Sequence, residues 1–203
     1  WDLFPMELYL TTTSPYPTNF GLRSMTISSV RGCPYECTFC SHPFGRRVTT
    51  RSPESIISEI KELKKRYGVE FIYFSDDLFL INEKRVFELC DRLISEKLNI
   101  KWHISGRVNL VNDNLLRKLR EAGCIEIGYG FESGSQKMLD RMKKRVSVRQ
   151  AQEAIEATRR AKMNVVGSFI FGMPGETVET IKETLDFIKK ARLPIHRFFY
   201  ATP

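Results

Sequence analysis

The chain has 203 residues, enough for one domain with one sizeable core. Hydrophobic residues make up 42% and charged residues 28%, which excludes a wholly disordered chain, and no apolar run approaches the ~20 residues of a membrane helix, so no membrane partner is expected. The net charge of +8 would attract nucleic acid or acidic substrates if gathered in one block, but the basic residues are spread over many segments, which disfavours nucleic acid as the partner.

Residues 1–24, with Pro5, Pro15 and Pro17, read as an irregular lead-in. Trp1 to Leu10 lack a basic stretch and a long apolar core, so they do not form a signal peptide, and the missing initiator Met suggests a piece of a longer protein. From Met25 short apolar runs alternate with longer amphipathic segments, the pattern of βαβ units. Met25 to Val30 is the first strand. The first helix has Ser52 as N-cap, Pro53 at its first position, Ile56, Ile60, Leu63 and Tyr67 on one face, and Gly68 as its stop. Phe71 to Phe74 is the second strand, and a helix from Asn82 turns Val86, Cys90, Leu93 and Ile94 inward. Ile100 to Ile104 is the third strand, and Leu115, Leu116, Leu119 and Ala122 stripe a helix ended by Gly123.

Ile125 to Tyr129 is the fourth strand, leaving through the glycine-rich stretch Gly128 to Gly134. A short helix surrounds Met138, and Ser147 with Gln150 makes a capping box for a helix facing inward through Ala151, Ala154, Ile155 and Thr158. Val165 to Phe171 is the fifth strand. After Pro174 and Gly175 a helix is striped by Val178, Ile181, Leu185 and Ile188, and Ile195 to Tyr200 is the sixth strand. The expected fold is α/β, a partial (β/α)6 TIM-like barrel of parallel strands with outer helices over residues 25–203. Such barrels place chemistry in the loops after the strands' C-terminal ends, and the informative residues do follow strands: the cysteines, Ser75 to Asp77, Arg107, Glu132 and Gly172 to Glu176.

Five cysteines is an odd count, and Cys33, Cys37 and Cys40 fall within eight residues, which favours metal ligation over disulfides and implies a reducing cytoplasm. Thiolate sulfur suits iron-sulfur clusters and zinc. Three ligands hold a four-iron cluster and leave one iron open for a small molecule. Structural zinc wants four ligands, usually as two separated pairs; no second pair is present, and His42 sits too close to Cys40 for an easy tetrahedron. Cys90 and Cys124 read as core, and His103 and His196 have no second ligand at metal spacing.

The run Arg31-Gly32-Cys33-Pro34-Tyr35-Glu36-Cys37-Thr38-Phe39-Cys40-Ser41 resembles the cluster loop of the radical S-adenosylmethionine superfamily. The resemblance implies a 4Fe-4S cluster on the three cysteines, whose open iron binds S-adenosylmethionine and whose electron breaks a C–S bond to give a 5′-deoxyadenosyl radical. It also implies an electron donor such as flavodoxin or ferredoxin. Phe39 matches the aromatic that the family sets near the adenine. Ser75-Asp76-Asp77 stands where many members bind the methionine amino group with Gly-Gly-Glu; the acids here either attract that ammonium or cap the next turn. Gly130-Phe131-Glu132-Ser133-Gly134-Ser135 is similar to the fourth-strand motif of the cobalamin-associated branch, which would give Glu132 the ribose hydroxyls. Lys144 aligns with the residue aimed at the methionine carboxylate, unless it is an ordinary solvated lysine, and Arg107 is a weaker candidate for that task. On the fifth strand Ser168 would face the ribose and Ile170 the adenine.

The expected function is methyl transfer, or radical rearrangement or cyclisation, on an unidentified substrate, with any cobalamin belonging to the full-length protein. One rival is a methylthiotransferase-like enzyme modifying RNA or protein, suggested by the basic charge and by Ser133-Gly134-Ser135 near Met142. The other is a non-enzymatic iron-sulfur or zinc protein, which has no use for the later strand-end motifs.

Overall fold

The computed structural model describes Pro5, Met6, Leu10 and residues 21–201. The lead-in expected over residues 1–24 lies mostly outside the described residues. Six parallel strands form one curled sheet in the order β1 (Ser24–Ile27), β4 (Phe71–Phe74), β5 (Lys101–Gly106), β6 (Cys124–Glu132), β7 (Asn164–Phe171) and β8 (Ile195–Tyr200). A two-stranded antiparallel ribbon, β2 (Val30–Arg31) with β3 (Thr49–Thr50), stands apart from it. Helices α1 (Pro53–Tyr67), α2 (Glu83–Ser95), α3 (Asp113–Glu121), α4 (Gln136–Arg141), α5 (Val148–Arg160) and α6 (Val178–Ala191) connect the strands. The expected partial barrel is present.

Local signals account for most boundaries. The side chains of Ser52, Asn82, Asn112 and Ser147 accept the third backbone N–H of α1, α2, α3 and α5. Gly68 closes α1 in the left-handed region. Large apolar groups join the sheet to what covers it: Phe74 and Trp102 of the strands pack ring on ring with Phe79 of the turn after β4, and Phe131 and Phe169 do the same with Phe187 of α6.

Three expectations are corrected. The strand expected over Met25 to Val30 breaks after Ile27, because the Asp76 carboxylate accepts the N–H groups of Ser29 and Val30 and draws them out of the sheet. The fourth strand runs on through the glycines to Glu132. Gly128 and Gly130 keep extended backbone there; a Cβ on Gly128 would press on the His103 ring at 3.3 Å, and one on Gly130 would reach the Glu132 carboxylate at 2.3 Å. The expected stripe of α6 is half right: Ile188 is buried, but Val178 is 61% and Leu185 40% exposed, and the helix buries Thr180, Thr184 and Phe187 in their place. Its backbone passes so close to Gly134 that a Cβ there would lie 2.8 Å from the Thr184 Cα, so small hydroxyl residues, with Thr184 Oγ1 2.9 Å from Ser133 Oγ, suit that face. Among the described residues no helix is long and apolar enough to cross a membrane.

Candidate active site

The cysteine loop opens at Gly32, where φ is +86° and a Cβ would lie 2.1 Å from the Arg47 carbonyl oxygen. That close approach folds the loop back so that β2 and β3 clamp its ends, and the Cys33 N–H donates to Gly45 O at 3.1 Å. His42 places its two ring nitrogens 2.9 Å from Cys40 O and 2.7 Å from Tyr35 O, stapling the loop across its width. Cys33 is half-buried, Cys37 buried and Cys40 exposed, and all three are free thiols.

The two acids after β4 hold the approach to this loop. Asp76 accepts from Ser29 N–H at 2.5 Å, Ser29 Oγ at 2.5 Å and Val30 N–H at 2.9 Å, and Asp77 Oδ2 accepts from Gly32 N–H at 2.7 Å. Ser75 is exposed beside them, its N–H donating to Ile27 O.

Across the barrel mouth the loop rests on Arg107 at the exit of β5 and on the turn that follows α4. The Thr38 N–H donates to Met142 O at 3.0 Å, and Glu36 is exposed between Arg145 at 2.8 Å and Arg46 at 3.3 Å. Arg107 is buried at the exit of β5, with its guanidinium beside Cys37 and over the Tyr35 ring. Glu132 ends β6 in left-handed backbone at φ +64° and accepts from Lys144 Nζ at 2.6 Å, with both side chains over nine-tenths buried. The Lys144 ammonium also lies 5.4 Å from the centre of the Phe39 ring. Ser168 pairs in register with Gly130 and is half-buried. Phe39 and Ile170 line one open cavity of about 850 Å³ with Thr38, Met142, Met173 and Tyr200, a size that suits a nucleoside-bearing ligand.

The fold thus gathers Cys37, Phe39, Arg107, Glu132, Lys144 and Ile170 on one side of the loop, and sets Asp76 and Asp77 on the other. Nothing in the spacing of Glu132 and Lys144 announces that they pair with each other. Tyr35, His42 and Asn109 were missed as parts of the loop's support; Asn109, two residues after Arg107, accepts from Arg107 Nε and donates to the Tyr35 hydroxyl. Cys90 and Cys124 lie in the helix-packed core, where burial pushes the Cys90 thiol up to about 12 and raises that of Cys124 as well.

The residues present fit a four-iron cluster. Three free thiols on one loop, shaped by a glycine that tolerates no side chain and backed by a buried guanidinium, are the donor set such a cluster takes. Among the described residues no three His, Cys, Asp or Glu side chains close on a point that would hold a single metal ion. The family model described as the radical SAM superfamily matches residues 27–188.

The chain belongs to the radical SAM superfamily.

Membership implies a 4Fe-4S cluster and S-adenosylmethionine as cofactors. An uncharacterized methyltransferase of Pyrococcus horikoshii is 35% identical over 205 residues, covering 100% of this chain and 43% of its own length. The anaerobic magnesium-protoporphyrin IX monomethyl ester cyclase of Cereibacter sphaeroides is 36% identical over 169 residues, covering 81% of this chain and 28% of its own. The chain therefore spans less than half the length of these relatives. Among solved structures, the radical S-adenosylmethionine methyltransferase TsrM from Kitasatospora setae, with cobalamin and 4Fe-4S cluster bound, superposes with a TM-score of 0.79 over 89% of this chain and 37% of its own, at 17% identity, which shows a shared fold.

Proposed function

We propose that this protein holds a 4Fe-4S cluster on Cys33, Cys37 and Cys40 and uses S-adenosylmethionine for methyl transfer to an unactivated carbon, or for radical cyclisation or rearrangement, on an unidentified substrate. The observation that carries it is the folded cysteine loop resting on the barrel mouth directly beside the cavity lined by Phe39 and Ile170. Relatives named as a methyltransferase and as a cyclase support that choice of outcomes. Bound there, the cluster supplies one low-potential electron and an open iron, so that a C–S bond of S-adenosylmethionine breaks to a 5′-deoxyadenosyl radical.

The chain's own residues position that cofactor. Phe39 and Ile170 offer apolar surface to the adenine across the cavity, and Ser168 and Glu132 accept ribose hydroxyls. Lys144 attracts the methionine carboxylate. Without ligand, Glu132 and Lys144 neutralise each other in a buried pair; binding exchanges that one contact for a hydroxyl donor on Glu132 and a carboxylate on Lys144, so neither group is left desolvated and alone. Ser75 and Asp77 are the exposed groups left for the amino end, while Asp76 acts through the loop it holds. The apolar walls of Phe39, Met142 and Met173 limit water around a reactive radical.

The full-length protein works in a low-oxygen cytoplasm, with a flavodoxin or ferredoxin as donor; five free cysteines suit a reducing compartment. Cobalamin in a further domain is supported by the cobalamin-bound methyltransferase that shares the fold. Anaerobic reconstitution tests the core of the proposal. Four irons and four sulfides per chain are expected, with Mössbauer spectra changing at one iron when S-adenosylmethionine is added; stoichiometric zinc without iron uptake would refute it.

A further inference from the structure

We infer that Arg107 sets the reduction potential of the cluster, acting as a donor to the Cys37 sulfur from behind the cysteine loop. This rests on the cysteines holding a cluster, and it assigns Arg107 to the cluster rather than to the methionine carboxylate.

The placement is specific. Arg107 leaves β5 into the barrel mouth and is 7% exposed, as buried as the 8% exposed Cys37 beside it. Its Nη1 lies 3.6 Å from Cys37 Sγ, a normal reach for N–H to sulfur. Each of the other two nitrogens and the planar face has a partner. Nη2 donates to Lys144 O at 2.5 Å, Nε donates to Asn109 Oδ1 at 3.2 Å, and the planar face sits 3.6 Å from the centre of the Tyr35 ring. Asn109 is fixed in turn by its bond to the Tyr35 hydroxyl. A fork held at three points has one orientation, and in it Nη1 is the nitrogen that faces the ligand sulfur.

A cluster that accepts one electron gains one negative charge, part of which spreads onto its thiolates. A fixed cation with an N–H aimed at one of those sulfurs stabilises the reduced form more than the oxidised form, so it raises the potential; burial lets the effect act with little screening. The same guanidinium grips the Lys144 carbonyl, so the residue that tunes the cluster also fixes the backbone of the lysine at the cofactor site.

The test compares the parent protein with Arg107→Lys and Arg107→Met after anaerobic reconstitution. It measures iron and sulfide content, the midpoint potential by EPR-monitored titration with redox mediators, and S-adenosylmethionine binding by calorimetry. Iron content should hold, and Arg107→Met should shift the one-electron equilibrium about tenfold toward the oxidised cluster, a potential 59 mV lower. Arg107→Lys, which keeps the charge without the fork, should fall between. Equal potentials in all three cluster-bearing proteins overturn the inference. So does an unchanged potential with weakened cofactor binding, which returns Arg107 to the methionine carboxylate. Loss of iron from both variants while their apoproteins melt like the parent also overturns it, making Arg107 an anchor of the loop. A parent that takes up no iron defeats the cluster reading itself, an outcome distinct from all of these.

Discussion

Strand β6 carries two buried acids near its two ends, and their surroundings differ in kind. Glu126 lies within the sheet, just past a register shift between β5 and β6 and in extended backbone. It accepts from His103 Nδ1 at 2.8 Å, its partner directly opposite in register, and the His103 ring stacks on Tyr73 of the next strand at 4.4 Å. Glu132 ends the strand at a register shift, in left-handed backbone, with a glycine two residues earlier clearing space for its carboxylate, and its partner Lys144 comes from a loop. The first pair is built from three neighbouring strands and has extended backbone throughout. The second holds a conformation that costs ~1 kcal/mol or more for a residue other than glycine, beside the cysteine loop. The barrel floor keeps its polar pair inside the sheet, whereas the rim holds strained backbone and a buried ion pair beside the cysteine loop.

The largest expected effect concerns the cysteines. Cys33→Ala, Cys37→Ala and Cys40→Ala should each abolish iron uptake on reconstitution, since three thiolates are the minimum for the cluster. Cys90→Ala and Cys124→Ala, in the helix-packed wall, should retain four irons by iron and sulfide assay. Iron loss in either wall variant would erase the division between rim and body.

Next comes the floor. His103→Ala removes a buried ring and the donor it gives Glu126, and should lower stability by about 3 kcal/mol in urea unfolding, with the cluster retained in the folded protein. If cofactor affinity falls instead while stability holds, the floor pair belongs to the site.

A pH effect follows for the wall cysteines. Burial raises the Cys90 thiol from its ordinary 9.0 to about 12 and raises Cys124 in the same direction. The folded state therefore keeps protons that the unfolded chain releases. Stability from these groups is complete below pH 9 and is lost as pH climbs from 9 toward 12, at ~1.4 kcal/mol per pH unit for each thiol. Urea midpoints measured at pH 8, 9 and 10 should fall in that order, and Cys90→Ala should flatten the slope.

How much of this was legible follows the same division. Helix starts were readable because capping is local: Ser52, Asn82, Asn112 and Ser147 each act on a backbone N–H three residues away. The six strands and their order of chemistry were readable from apolar runs. The helix α6 face was not, because Gly134, some fifty residues earlier, decides which side of α6 can approach the sheet. The same limit hid the role of Asp76, whose partners Ser29 and Val30 are reached only after the barrel curls. Around the cysteines the spacing announced the ligands, while the support from Arg107, Tyr35 and His42 depends on where the loop lands.

The smallest expected effect bears on the strained rim itself. Glu132→Gln keeps the shape of the side chain and one acceptor oxygen but removes the charge that holds Lys144. A ribose hydroxyl can still donate to the amide oxygen, so the bond to ligand survives at reduced strength, while Lys144, freed from its partner, stays available to a carboxylate. S-adenosylmethionine affinity should drop by about 1 kcal/mol, roughly fivefold, with iron content unchanged. Glu132→Ala loses the acceptor outright and should weaken binding by ~2–3 kcal/mol. Anaerobic calorimetric titration of the reconstituted proteins distinguishes the two. Parent-like binding by Glu132→Ala would mean that the carboxylate serves only to neutralise Lys144, and rim and floor would then be two versions of one structural device.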